Sequence, residues 1–314
     1  MGSKQPSPAS GVYAALATPR RFGSIDGDAV ALLDYLDVIV RAGVDGLVLF
    51  GSTGEFVHFD LAERMRLLAF AARRSRVPIL VNVSHTTLAG AVELTGHAIE
   101  CGANGVLLLP PYIYSYSDLQ LTRFYEEFGK LIGGKIPIYL YNLPLLQNSI
   151  SLDLAEHLLA SGTFAGIKDS SGDWAMFEGL GALRSTRHFQ LFAGAESIYL
   201  RARFAGADGI ISGVAAALPE LIVALDRAIR ISDLAQAHRL DRRLQEFVAW
   251  LAGLPVPLGI KQAAAARGWK HGDFAVPLDD QTVREVTRFE AWLGDWMPAV
   301  LMECSESASS GSRF

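Results

Sequence analysis

The chain has 314 residues, half of them hydrophobic, and a formal net charge of −5. No block of Lys or Arg supplies a footprint for nucleic acid, and two cysteines, Cys101 and Cys304, are too few for a disulfide framework or a zinc site. Charged or turn residues interrupt every apolar run short of about eighteen residues, and Met1–Ser10 is polar, so a soluble cytoplasmic protein with no membrane span is expected.

From there, short apolar runs alternate with longer amphipathic ones. The run Val12–Thr18 precedes a helical pattern over Asp28–Ala42; Gly46–Phe50 precedes Leu61–Arg74; Ile79–Val83 precedes Leu88–Cys101; Gly105–Leu109 precedes Asp118–Ile132. Then come Ile138–Tyr141 with Leu152–Ala160, Phe164–Lys168 with Trp174–Leu183, Gln190–Ala193 with Ser197–Ala205, and Gly209–Ser212 with Pro219–Ile231. The short runs are nearly all apolar rather than alternating, which fits strands of a parallel sheet covered on both faces. Asp60, Thr87, Ser117, Ser151 and Asp173 are placed to cap the helices that follow them. Three echoing stretches, 42–46, 101–105 and 205–209, each place a glycine where a left-handed turn would end one helix before the next strand.

Eight strand–helix units define a (β/α)8 TIM barrel over residues 11–231. A doubly wound open sheet is the weaker alternative, because no Gly-x-Gly-x-x-Gly follows an early strand. The helical patterns Asp233–Leu251, Leu258–Ala266 and Asp279–Leu293 form a C-terminal helical extension over 232–302. Residues 1–10 are expected to be a flexible N-terminus and 303–314 a disordered tail.

In such a barrel, function resides at the C-terminal ends of the strands. Lys168 ends the sixth run, after Phe164-Ala165-Gly166-Ile167. Burial of a lysine disfavours its charged form, and a neutral amine can attack a ketone to give an imine. The alternative is a lysine reaching solvent or paired with Asp169. Gly51-Ser52-Thr53-Gly54 offers hydroxyls and closely approachable backbone N–H groups for a carboxylate or phosphate, or is an ordinary turn. Tyr141 could place a phenol beside Lys168 as a proton shuttle, or is a packed barrel tyrosine. Ser170, Gly194, Glu196 and Ile211, at the ends of the sixth to eighth strands, complete the candidate substrate contacts with Gly51. His85 is a weaker candidate, and no His/Asp/Glu spacing resembles a metal site.

Together, Gly51-Ser52-Thr53-Gly54-Glu55, Tyr141-Asn142-Leu143-Pro144 and Gly166-Ile167-Lys168-Asp169-Ser170-Ser171-Gly172-Asp173 resemble the dihydrodipicolinate synthase / N-acetylneuraminate lyase family of pyruvate-dependent class I aldolases. The likeness runs from about Gly11 to the end of the helical extension. It implies that Lys168 forms a Schiff base with a small-molecule keto acid, with no metal or other cofactor. It also implies that Tyr141 moves protons, that Ser52 and Thr53 hold the keto-acid carboxylate, and that the protein is a homotetramer built as a dimer of dimers.

Two departures bear on substrate. Where synthases of this family carry an arginine for a second carboxylate, Leu146 stands, and Ile113 occupies the place of their relay tyrosine, with Tyr114 and Tyr116 nearby as substitutes. Both argue against a dihydrodipicolinate synthase. They favour a lyase for a 2-keto-3-deoxy sugar acid or 4-hydroxy-2-oxo acid. A Schiff-base sugar-acid dehydratase and a non-catalytic ligand-binding homologue are the alternatives.

Overall fold

The computed structural model describes residues 9–310; the first eight residues of the expected N-terminus and the last four of the expected tail lie outside the described residues. Eight parallel strands close into a barrel in sequence order: β1 Gly11–Ala15, β2 Gly46–Leu49, β3 Ile79–Asn82, β4 Gly105–Leu108, β5 Ile138–Asn142, β6 Gly166–Asp169, β7 Gln190–Ala193 and β8 Gly209–Ser212. Eight helices alternate with them: α1 Ala29–Arg41, α2 Leu61–Arg74, α3 Leu88–Glu100, α4 Asp118–Ile132, α5 Leu152–Ala160, α6 Trp174–Leu183, α7 Tyr199–Phe204 and α8 Pro219–Arg230. Then follow α9 Leu234–Leu251, α10 Leu258–Ala266 and α11 Asp280–Ser310. No helix is long and apolar enough to cross a membrane among the described residues.

The chain divides into two compact units, one containing Gly11 and Pro78–Ile210, the other Val12–Val77 and the residues from Ile211 onward. In the first, β3 to β8 pair in order, and apart from Gln190 every residue of β3 to β7 is buried. Its helices start where the sequence says they should. The side chains of Thr87, Ser117, Ser151 and Asp173 each accept a hydrogen bond from a backbone N–H of the first turn. Such caps contribute about 1 kcal/mol each.

The echoing stretches do two jobs at once. Gly43, Gly102 and Gly206 take positive φ at the helix ends. The polar residue immediately before the following strand reaches back to the strand preceding it: Asn104 Oδ1 accepts from Ile79 N at 2.9 Å, and Asp208 Oδ2 from Leu191 N at 2.8 Å. In the second unit Asp45 Oδ2 does the same for Val12 N at 2.8 Å. An N–H that would otherwise start its strand unpaired is thereby satisfied.

Several boundaries shift by one to three residues, as at β1, which ends at Ala15 rather than Thr18, and β6, which runs Gly166–Asp169 rather than Phe164–Lys168; two further differences change the element itself. The segment expected as a helix from Ser197 opens with a 3-10 turn over Glu196–Ile198 before α7 begins. The last helix continues past Leu293 to Ser310, so residues 303–310, expected as part of the tail, are helical. Gly294 and Pro298 read locally as stops. They are overridden because Phe289, Leu293, Trp296, Val300 and Cys304 continue one buried face at helical spacing. Arg243 of α9 also donates from Nε to Glu303 at 3.1 Å.

Candidate active site

Lys168 and Tyr141 stand opposite each other, in register, on β6 and β5. Both are buried, at 4% and 1% exposure, and the Lys168 Nζ lies 4.1 Å from the centroid of the Tyr141 ring. Side chains alternate across a strand, so the next residue points the other way. Asp169 is fully buried and accepts from Asn142 Nδ2 at 2.7 Å and from Ser171 Oγ at 2.7 Å. Burial pushes its carboxyl above the usual range, against the lowering effect of those donors. Lys168 therefore is not paired with Asp169, and it makes no salt bridge among the described residues.

The space around the lysine is set by the neighbouring strand end. Gly194, just after β7, donates its N–H to Asp169 O at 2.7 Å. A Cβ at Gly194 would fall 2.8 Å from Lys168 Cε and 2.1 Å from Ser170 Oγ. Only a residue without a side chain leaves both where they are. Ser170 Oγ is buried with no hydrogen-bond partner among the described residues, which leaves it free to meet a ligand. Glu196 follows in the half-buried 3-10 turn. Lys168, Tyr141, Ser170 and Gly194 thus form one cluster within the first unit.

The loops after β4 and β5 are tied by a residue that sequence reading did not single out. Asn148, buried at 6% exposure, donates from Nδ2 to the carbonyls of Pro111 and Tyr114 and accepts from Tyr116 N at 2.9 Å. Ile113 and Tyr114 are left exposed, at 57% and 70%. His85 is engaged locally, its Nδ1 3.1 Å from Thr87 Oγ1 and accepting from Thr87 N.

Gly51, Ser52, Thr53 and Ile211 belong to the second unit. Ile211 is fully buried on β8. The turn carrying Gly51, Ser52 and Thr53 leaves β2 with a sharp change of backbone. Phe50 on one side and Glu55 on the other both adopt left-handed φ, 58° and 53°. Each such non-glycine residue costs about 1–3 kcal/mol and persists only where its surroundings dictate it. Here they do: Thr18 Oγ1 donates to Gly54 O at 2.8 Å, and Glu55 N donates to Ser52 O at 3.0 Å. A Cβ on Gly54 would meet Leu16 O at 2.9 Å and Phe50 Cα at 3.0 Å.

The Glu55 carboxylate ends in a buried ion pair, 2.9 Å from Lys261 Nζ on α10, the two side chains being 7% and 1% exposed. Desolvation pulls the Lys261 ammonium below the usual lysine range, opposed by Glu55. Nothing in the sequence flagged Lys261; its partner lies 206 positions away, beyond the reach of any local pattern.

Lys168 thus sits buried on the sixth strand of a closed barrel of eight parallel strands, and the relatives of this chain with that fold include class I aldolases and other lyases. Residues 8–294 match the model of the dihydrodipicolinate synthetase family, and the chain belongs to that family. Among its relatives, the probable 2-dehydro-3-deoxy-D-pentonate aldolase YjhH of Escherichia coli K12 is 31% identical, covering 74% of this chain and 78% of its own length. The 4-hydroxy-tetrahydrodipicolinate synthase of Methanococcoides burtonii is 30% identical over 85% of this chain and 91% of its own. Among solved structures, that of YagE from E. coli K12 in complex with pyruvate superposes with a TM-score of 0.83, at 26% identity, covering 92% of this chain and 98% of YagE.

Proposed function

We propose that the protein is a Schiff-base aldolase that cleaves, or forms, the C–C bond of a 2-keto-3-deoxy sugar acid or 4-hydroxy-2-oxo acid, with pyruvate as product or donor. The observation that carries the reading is the buried Lys168 facing Tyr141, its Nζ in no salt bridge with a carboxylate among the described residues. In the proposed reaction the Lys168 amine adds to the C2 carbonyl and water leaves, giving a protonated imine. The C3–C4 bond then breaks, its electron pair entering the imine as an enamine, while the C4 hydroxyl loses its proton and departs as an aldehyde. Protonation at C3 and hydrolysis release pyruvate and return the amine. Tyr141 carries the protons that move during imine formation, to the departing C2 oxygen, and during C–C cleavage, from the C4 hydroxyl. Ser52 and Thr53 hold the keto-acid carboxylate, Gly51 giving close access to the backbone, while Ser170, Glu196 and Ile211 contact the rest of the substrate.

Relatives named as synthases and as sugar-acid aldolases both support a keto-acid lyase. Leu146, where a second carboxylate would need a cation, favours the sugar-acid branch. The exposed Ile113 and Tyr114 of the first unit support an assembly of several copies, which we include in the reading as a homotetramer. A panel of 2-keto-3-deoxy acids coupled to pyruvate detection tests the proposal. Pyruvate released in step with substrate loss is the expected result; loss of substrate by dehydration, with no pyruvate, would make the protein a dehydratase instead.

A further inference from the structure

The Glu55–Lys261 pair is larger than a turn needs. A buried ion pair contributes little net stability, because the desolvation of two charges offsets their attraction, and apolar replacements of similar volume are often neutral or stabilising. Such a pair has a clearer use in holding one geometry among several. The geometry at stake is visible: Glu55 sits at φ 53°, ψ 39°, immediately after the turn that carries Ser52 and Thr53. Its backbone N–H is already bonded to Ser52 O, so any rotation at Glu55 is transmitted to Ser52. On the far side the lysine is equally fixed. Lys261 Nζ lies 4.8 Å from the Phe274 ring centroid and donates to Asp273 O at 3.4 Å, while its Cα belongs to the buried face of α10.

We infer that Glu55 and Lys261 are positioning residues for the keto-acid carboxylate. The ion pair clamps Glu55 in its left-handed conformation, and through it orients the backbone and hydroxyls of Ser52 and Thr53. The inference deepens the proposed function and rests on it. It gives α10, in the helical extension, a part in substrate affinity that acts through Glu55. A left-handed glutamate released from Lys261 relaxes toward ordinary backbone angles, and the donors of the turn lose their common aim.

The test separates affinity from stability and from chemistry. Wild type, Glu55→Gln and the double variant Glu55→Gln/Lys261→Met are titrated with pyruvate under borohydride, and the half-saturating pyruvate concentration and the trapping rate at saturation are read along with urea midpoints. The expected result is a rise in half-saturation of about tenfold or more in both variants, a far smaller change in the saturated rate, and a double variant about as stable as wild type. Glu55→Gln, isosteric with the native side chain, supplies the same readout should the double variant not fold. Wild-type half-saturation in folded variants, with only the urea midpoint moved, would overturn the inference and leave the pair a structural one. Should wild type itself trap no pyruvate, the proposed function fails rather than the positioning role.

Discussion

Lys168 and Tyr141 are neighbours across the β5–β6 ladder, in the same register, with the ammonium nitrogen 4.1 Å from the centre of the phenol ring. A nitrogen over a ring face at this distance packs directly against the phenol ring, so the position of one side chain fixes that of the other. The register fixes the pair without relying on a loop.

Tyr141→Phe keeps the ring and removes the hydroxyl. The ring, buried at 1% exposure, is retained with its packing, so the fold is expected to survive. The rate of pyruvate release should fall by about 10²–10⁴, the usual contribution of one positioned proton-transfer group. Steady-state kinetics checks this, and a variant within a few fold of wild type would remove Tyr141 from the chemistry.

Gly194→Ala puts a methyl group 2.8 Å from Lys168 Cε and 2.1 Å from Ser170 Oγ. Overpacking of this kind costs about 1–3 kcal/mol, and the lysine stem or the serine must move to relieve it. The variant should lose more activity than stability. Chemical denaturation alongside the trapping rate measures both, and an unchanged trapping rate would show that Lys168 has room to spare.

His271 gives a pH dependence. Its imidazole is buried at 4% exposure, and desolvation, with the nearby Lys261 charge, pushes its pKa down to about 3. Between that value and the ordinary pKa near ~6.5, the unfolded chain binds the proton that the folded chain refuses, so stability falls as pH drops through this window. From pH 7 to pH 5 the loss from this one group is about 2 kcal/mol. Urea unfolding of His271→Phe should show a loss smaller by about that amount. An equal loss in both proteins would mean that the folded state can protonate His271.

Arg243 and Glu303 report on the end of α11. Arg243→Ala removes the Nε contact at 3.1 Å and its partner contact to Glu246, also 3.1 Å. Amide exchange should speed up in the helix beyond Val300 with little change near Phe289, because the pair is only partly buried and contributes about 1 kcal/mol. Uniform exchange along α11 would show that the apolar face alone sets the helix end.

Much of this architecture is readable from local pattern. The strands are apolar runs bounded by turn residues, and the caps at Asp60, Thr87, Ser117, Ser151 and Asp173 sit one residue before a helical period begins. The positions of Lys168 and Tyr141 are legible for the same reason, since each lies within one residue of the end of a strand that the pattern marks. What escapes is decided by contacts distant in sequence. The pairing of Lys261 with Glu55 carries no periodic signal, and neither does the hold of Asn148 on the loop after β4. The extension of α11 through Gly294 and Pro298 is a tertiary override, in which burial of Trp296, Val300 and Cys304 outweighs two local breakers.

The central claim is that Lys168 forms the imine, and reductive trapping tests it most directly. The protein is incubated with pyruvate and borohydride, digested, and analysed by peptide mass spectrometry. The account predicts one reduced pyruvyl group on the peptide containing Lys168, and none in Lys168→Ala. No adduct on wild type, or an adduct that persists in Lys168→Ala, would contradict it.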